Sequence, residues 1–287
     1  MTSLYREMNA EQLEIAYAPS SAIGGDYGPF VARYIEQSAL ARTSLDCLQD
    51  LQYGSSSTQV LDFFHGANPG IKKRPLHLFI HGGYWQELSH KESATMADAL
   101  VKNGISFAVM NYTLAPIGSI DEMVEECRQC LAYLVSNSDR LGVDINKISV
   151  SGHSAGAQLL LKMLSEYSDD ISVNAVGLAI AISGIYDLRP ICHTSINAPL
   201  ALSQSKATEL SPQFQNLVFS GSVLIAVAEN DTDEFRRQAL EYHQKLQHAG
   251  IHSNWVDCGG LNHFDIILEM ENGAFPILQS IVEFSNT

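Results

Sequence analysis

A mostly parallel β-sheet covered by helices on both faces is the architecture that this sequence predicts, and three observations predict it. Strand-like and helix-like segments alternate along most of the chain, the pattern of layered α/β domains. Several strand-like runs are almost continuously apolar, among them AVGLAIAI from Ala175 to Ile182 and VLIAVA from Val223 to Ala228, as expected of strands buried on both faces. Another strand-like run, ISVSGH, stops at a small-residue turn and resumes directly as a helix-like stretch, which is how a strand hands over to a helix packed on its own sheet.

Taken in order, residues 10 to 17 and about 29 to 44 read as helices ahead of the sheet. Leu45 to Tyr53 and Gln59 to His65 alternate in hydrophobicity around the turn-rich GSSST and read as an antiparallel pair at the sheet edge. Further strands are expected at Leu76 to Ile80, Ser106 to Asn111, Lys147 to Ser151, Ala175 to Ile182, Val223 to Ala228 and Ser253 to Asp257. Helices are expected at residues 89 to 103, 119 to 138, 154 to 167, 232 to 248 and 273 to 285, with Gly104 and Gly250 placed where a helix stops. Pro190, Pro199 and Pro212 break the interval from about 186 to 220 into short pieces, an excursion over the top of the sheet that would act as a lid.

Composition narrows the function classes. The 287 residues, 46% hydrophobic and without a linker-like stretch, suit one large domain, residues 1 to 287. The opening MTSLYREMNAEQLEIAY carries Arg6 and three glutamates and is expected to be neither a signal peptide nor a transit peptide. No stretch has the length of a membrane span. A formal charge of -15 argues against nucleic acid and membrane partners, whose phosphates it would repel. Five scattered cysteines suit free thiols in a reducing cytoplasm; Cys127 and Cys130 lack the second pair that a zinc site requires. No metal or organic cofactor is called for. The partner expected is a small-molecule substrate, and oligomeric state is left open, a homo-oligomer included.

The chemistry centres on GHSAG, where Ser154 lies at a G-x-S-x-G strand-to-helix bend that strains the serine backbone and lifts its hydroxyl out of the sheet. Gly152 and Gly156 are the residues that so tight a bend tolerates on either side. Ala155 opens the following helix, whose first unpaired amides suit a developing negative charge. A second donor source is HGGYW, His81 to Trp85, after the first central strand: Gly82 and Gly83 can turn their amides toward a bound carbonyl oxygen and converge with Ala155 as an oxyanion hole. One such donor is typically worth about 3 kcal/mol of barrier.

A serine hydroxyl needs a general base, and the base needs an acid to fix its tautomer. Of ten histidines, His263 in GGLNHFDI follows the last predicted strand at the same sheet edge as Ser154. His77 lies within a strand, His243 and His248 lie on a charged helix, and His153 is expected to point away from the bend. For the acid, Asp231 in AENDTDEF follows the buried run ending at Ala228. Asp187 in SGIYDL, one strand earlier, is the competitor, with capping of the lid segment as its other reading. Chain order favours Asp231. Tyr84 and Trp85, beside the oxyanion donors, would form an aromatic wall that limits acyl size and stacks on an aryl leaving group; for Trp85, core packing is the rival explanation.

HGGYWQ, GHSAGAQ, SGIYDLRPI, the Asn197 to Pro212 elements, ENDTDEFRRQ and the NHFD loop resemble, in order and over nearly the full length, the kynurenine formamidases (arylformamidases) of the α/β-hydrolase superfamily. That resemblance implies the α/β-hydrolase fold and hydrolysis of N-formyl-L-kynurenine to L-kynurenine and formate, with Ser154, Asp231 and His263 in the triad positions. No arginine or lysine stands out as the partner of a substrate carboxylate. A short-chain carboxylesterase would use the same triad, and a non-catalytic binding protein on the same fold would need neither triad nor oxyanion donors.

Overall fold

The computed structural model describes residues 3–67, 70 and 72–287. Its strands are β1 (Cys47–Gln52), β2 (Val60–Phe64), β3 (Arg74–Ile80), β4 (Ser106–Met110), β5 (Val143–His153), β6 (Val176–Ile182), β7 (Ser222–Ala228) and β8 (Ser253–Cys258). They form one sheet in the order β1-β2-β4-β3-β5-β6-β7-β8. The β1–β2 and β2–β4 pairings are antiparallel, and the other five are parallel. The edge hairpin and the mostly parallel centre are those that the sequence predicts.

Period-two alternation divides the core into two layers, one on each face of the sheet. Along β6, Ala179 and Ala181 enter one layer while Leu178, Ile180 and Ile182 enter the other. Helices Ile120–Ser136, Ala155–Glu166 and Asp233–His248 cover the first face; Gly28–Ser44, Ala97–Lys102 and Pro276–Asn286 cover the second. Sheet order then sets where the site lies. The chain leaves β3 for β4 on one side and returns to place β5 on the other, so the loops after β3 and β5 diverge and leave a crevice at the carboxyl ends of the strands. HGGYW follows β3 and Ser154 follows β5.

Local chemistry accounts for the helix boundaries. Ser119 accepts from the Glu122 amide while the Glu122 carboxylate accepts from the Ser119 amide at 2.7 Å, a capping box that starts the Ile120–Ser136 helix. The expected helix over 89 to 103 is instead a single turn, His90–Glu92, and a separate helix, Ala97–Lys102. Side chains divert the backbone between them: the Ser93 hydroxyl donates to the Ser89 carbonyl at 2.7 Å, and the Ala94 amide donates to the Ser38 hydroxyl at 2.9 Å rather than to a helical carbonyl. The 186 to 220 interval holds three short turns and one helix, Gln204–Leu210.

Replacing Ser119 with Ala removes one of the two reciprocal caps. Stability should fall by about 1 kcal/mol, readable as a melting temperature about 2 °C lower.

Candidate active site

Ser154 has φ 53° and ψ -118°, a conformation that L-residues rarely adopt, and its amide is held by the Ile182 carbonyl at 2.9 Å. The bend is possible because its neighbours carry no side chains. A Cβ on Gly152 would lie 2.2 Å from the Gly156 oxygen, and one on Gly156 would lie 2.1 Å from the Ile80 oxygen. Ala155 is fully buried at the first position of the Ala155–Glu166 helix, where its amide has no intrahelical acceptor.

The loop after β3 is oriented by its carbonyls. Tyr112 donates its hydroxyl to the His81 carbonyl at 2.9 Å and stacks on the His81 ring at 4.2 Å, and His81 Nδ1 donates to the Gly82 carbonyl at 2.8 Å. The Gly83 carbonyl accepts from the amides of Gln86 and Glu87. In a trans peptide the N–H points opposite to the C=O, so anchoring the Gly82 and Gly83 carbonyls turns the amides of Gly83 and Tyr84 the other way. Gly83 and Tyr84 line the cavity described below, whereas Gly82, expected as a donor with Gly83, is not among its lining residues, and its α-carbon packs on the His153 carbonyl and Ser154 Cβ. Gly83 has φ 99°, and its missing side chain makes room for the Glu87 backbone.

His263 donates from Nδ1 to both carboxylate oxygens of Asp231, at 3.0 and 3.1 Å, and the Asp231 side chain is fully buried. Asn262 holds this loop, its side-chain oxygen accepting from the amides of Phe264 and Asp265. The Ser154 hydroxyl and His263 face the same cavity without a hydrogen bond between them; such bonds commonly tighten only when substrate binds. Asp187 is engaged elsewhere. It accepts from the Tyr5 hydroxyl at 2.9 Å, from the Arg189 guanidinium at 2.7 Å and from the Arg189 amide at 3.0 Å, holding the start of the Arg189–His193 turn.

His153 does not point away from the site as its position in the bend suggests. Its Nε2 donates to the His263 carbonyl at 2.9 Å, its ring lies 4.7 Å from the His263 ring, and it lines the cavity. Burial and the neighbouring His263 push its pKa well below the ordinary histidine value, so it serves as a neutral donor.

The cavity measures about 340 Å³. Ser154, His153 and His263 line it, and much of the rest of its wall is N-terminal, including Glu14, Tyr17, Tyr27 and Tyr34. From the interval 186 to 220 only Ser195 and Ile196 contribute. Tyr84 is part of the wall, with its hydroxyl donating to the Tyr17 carbonyl. Trp85 is not. Its indole is fully buried and donates to Gln158 Oε1 at 2.9 Å, while Gln158 Nε2 donates to the Leu210 carbonyl at 2.9 Å, so the expected aromatic wall is Tyr84 without Trp85. Successive positive φ values, 49° at Tyr84 and 62° at Trp85, send the two rings in different directions.

Among the described residues, the grouping of side chains suited to a metal is Asp50, Asp62 and His90, at the β1–β2 edge and away from this cavity. Arg42 already pairs with both carboxylates, with Nε 2.8 Å from Asp62 and Nη2 3.6 Å from Asp50.

Comparison with known proteins gives the family and the fold. The family model described as BD-FAE matches residues 61–208. Kynurenine formamidase of Danio rerio is 34% identical over 296 residues, covering 97% of both chains, and that of Salmo salar is 31% identical, covering 98% of both. The chain belongs to the kynurenine formamidase family. Solved structures place this formamidase-family chain in the α/β-hydrolase fold: esterase LipW from Mycobacterium marinum superposes with a TM-score of 0.73 at 19% identity, over 94% of this chain and 92% of that one. The esterase of Pyrobaculum calidifontis gives 0.73 at 18%, over 97% and 94%.

Trp85→Phe should leave the Gln158 carbonyl unpaired in the core and cost about 2 kcal/mol of stability. Because the indole lies outside the cavity of this formamidase-family chain, KM should stay within about twofold of the unaltered value, as a denaturant melt and a substrate titration on the same preparation will show.

Proposed function

We propose that this protein hydrolyses aryl formamides, with N-formyl-L-kynurenine as its substrate, through a formyl-enzyme on Ser154. The observation that carries the reading is the joint placement of three features: a serine in a strained bend, a histidine lining the same cavity and forked onto a buried aspartate, and tyrosines in the cavity wall.

In this mechanism His263 Nε2 takes the Ser154 proton as Oγ attacks the formyl carbon, and Asp231 holds the imidazole in the required tautomer and stabilises the imidazolium. The carbonyl oxygen becomes an oxyanion opposite the amides of Gly83, Tyr84 and Ala155, which accounts for the anchored carbonyls of the loop after β3. Collapse of the tetrahedral intermediate breaks the C–N bond. His263 returns the proton to the departing aryl amine, and water then releases formate by the same steps. An aryl amine leaves more readily than an alkyl amine because the ring shares its lone pair, and Tyr27, stacked on Phe264 at 5.4 Å, offers a flat face for that ring.

The same apparatus would open small esters, and the Tyr84 ring in the wall favours formyl and acetyl groups over longer acyl chains. Five unpaired cysteines support a reducing, cytoplasmic setting. Among the described residues, no helix is long and apolar enough to cross a membrane.

Purified protein should release formate from N-formyl-L-kynurenine and turn over p-nitrophenyl acetate, and Ser154→Ala should abolish both with an unchanged melting curve. Retained formamide turnover in that variant would remove Ser154 from the mechanism. Asp231→Asn should lower kcat by about 10⁴, the scale of a misoriented histidine, whereas Asp187→Asn should cost under tenfold. A reversed ranking would transfer the acid's role to Asp187.

A further inference from the structure

Residues lining the cavity include two carboxylates, Glu14 and Glu87, and no lysine or arginine among those described. Neither carboxylate forms an ion pair among the described residues. Glu14 is held by neutral donors, the Ser195 amide and the Ser195 hydroxyl at 3.0 Å, and Glu87 by the Tyr27 hydroxyl at 3.2 Å. Such hydrogen bonds fix a carboxylate in place without cancelling its charge. A histidine does not compensate for it through His153, which burial keeps neutral. Tyrosine faces favour cations as well, and the chain as a whole carries a formal charge of -15, which draws cations toward the cavity and repels anions.

We infer that Glu14 makes this cavity select its aryl substrates by an ammonium group, not by a carboxylate. An amino-acid-bearing aryl ketone would place its ammonium against Glu14 while its aryl amide reaches Ser154, and its carboxylate would remain in water. This explains why no cation waits in the wall for a substrate carboxylate. The inference rests on the aryl formamidase reading of the site, and it identifies Glu14, three residues before Tyr17 in the N-terminal wall, as a specificity-determining residue.

Four ligands that share an o-aminophenyl ketone separate the charges: 2′-aminoacetophenone (neutral), kynuramine (ammonium only), L-kynurenine (both) and 4-(2-aminophenyl)-4-oxobutanoate (carboxylate only). Measured by calorimetry on the full chain, kynuramine should bind roughly tenfold more tightly than 2′-aminoacetophenone, the carboxylate-only ligand should bind most weakly, and added NaCl should narrow the spread. Glu14→Gln keeps an acceptor for Ser195 and should bring the kynuramine to 2′-aminoacetophenone ratio close to one. If the carboxylate-only ligand binds as tightly as kynuramine, or if the ratio survives in Glu14→Gln, the inference is overturned. The salt series on the unaltered protein keeps the inference open to refutation even if the variant misfolds: a spread indifferent to NaCl overturns it too. Deformylation of uncharged formanilide, assayed on the same preparation, tests the formamidase reading separately, because that substrate carries nothing for Glu14 to recognise.

Discussion

Backbone lies directly on backbone where the first turn of the Ala155–Glu166 helix meets the carboxyl end of β3. Gly156 approaches the Ile80 and His81 carbonyls so closely that a single added carbon would sit 2.1 Å from the first and 2.6 Å from the second. This contact sets the serine bend and the HGGYW loop side by side. It also explains why the bend is strained: the chain must leave β5, pass Ser154 and enter the helix without lifting that helix off the sheet. The parallel neighbours β3, β5, β6, β7 and β8 supply the rigidity against which the strain is held.

Four buried imidazoles lie in or near the strands that carry the site, and their surroundings assign them different work. His77, bonded through both ring nitrogens to Ser149 and Ser151, is pushed down to about 3 by burial, and His81, stacked on Tyr112, to about 4. His153 is likewise kept neutral. Of these four, His263 has a carboxylate on its Nδ1, the feature that lets an imidazole accept a proton during a reaction and still be stabilised. The other three orient backbone and strand, and His153 does so on the His263 loop itself, through its bond to the His263 carbonyl.

How much of this was legible in the sequence depended on the range of the determinant. The positions of Ser154, Asp231 and His263 follow from strand ends and small-residue turns, which are local patterns, and the sheet places them together because parallel strands send their carboxyl ends the same way. Trp85 and Tyr84 are adjacent in sequence and part company through two positive φ values that no side-chain pattern announces. The division of the 89 to 103 helix depends on Ser38, far away in the chain. The orientation of His153 is set by the His263 loop, 110 residues later, and the bend alone does not announce it. The tyrosines of the N-terminal wall carried no signal beyond helical spacing, and the interval 186 to 220, prominent through its prolines, supplies only two wall residues.

The N-terminal wall is fastened to both halves of the site rather than resting on them. Tyr17 receives the Tyr84 hydroxyl on its carbonyl, and its own hydroxyl donates to Glu234 at 2.6 Å while accepting from Gln238 at 2.8 Å; the Thr232 hydroxyl donates to the neighbouring Ala16 carbonyl at 2.6 Å. One segment therefore bridges the loop that follows β3 and the helix that begins just after Asp231. Glu234 is in turn paired with Arg237 at 2.7 Å, so burying the phenol leaves no unbalanced charge beneath it. Because the same tyrosine lines the cavity, the shape of the substrate space and the spacing of those two elements are set by one group. In the proposed mechanism that coupling matters because the donor amides and the base must stay aligned through two successive tetrahedral intermediates, and any loosening of one side would be felt at both.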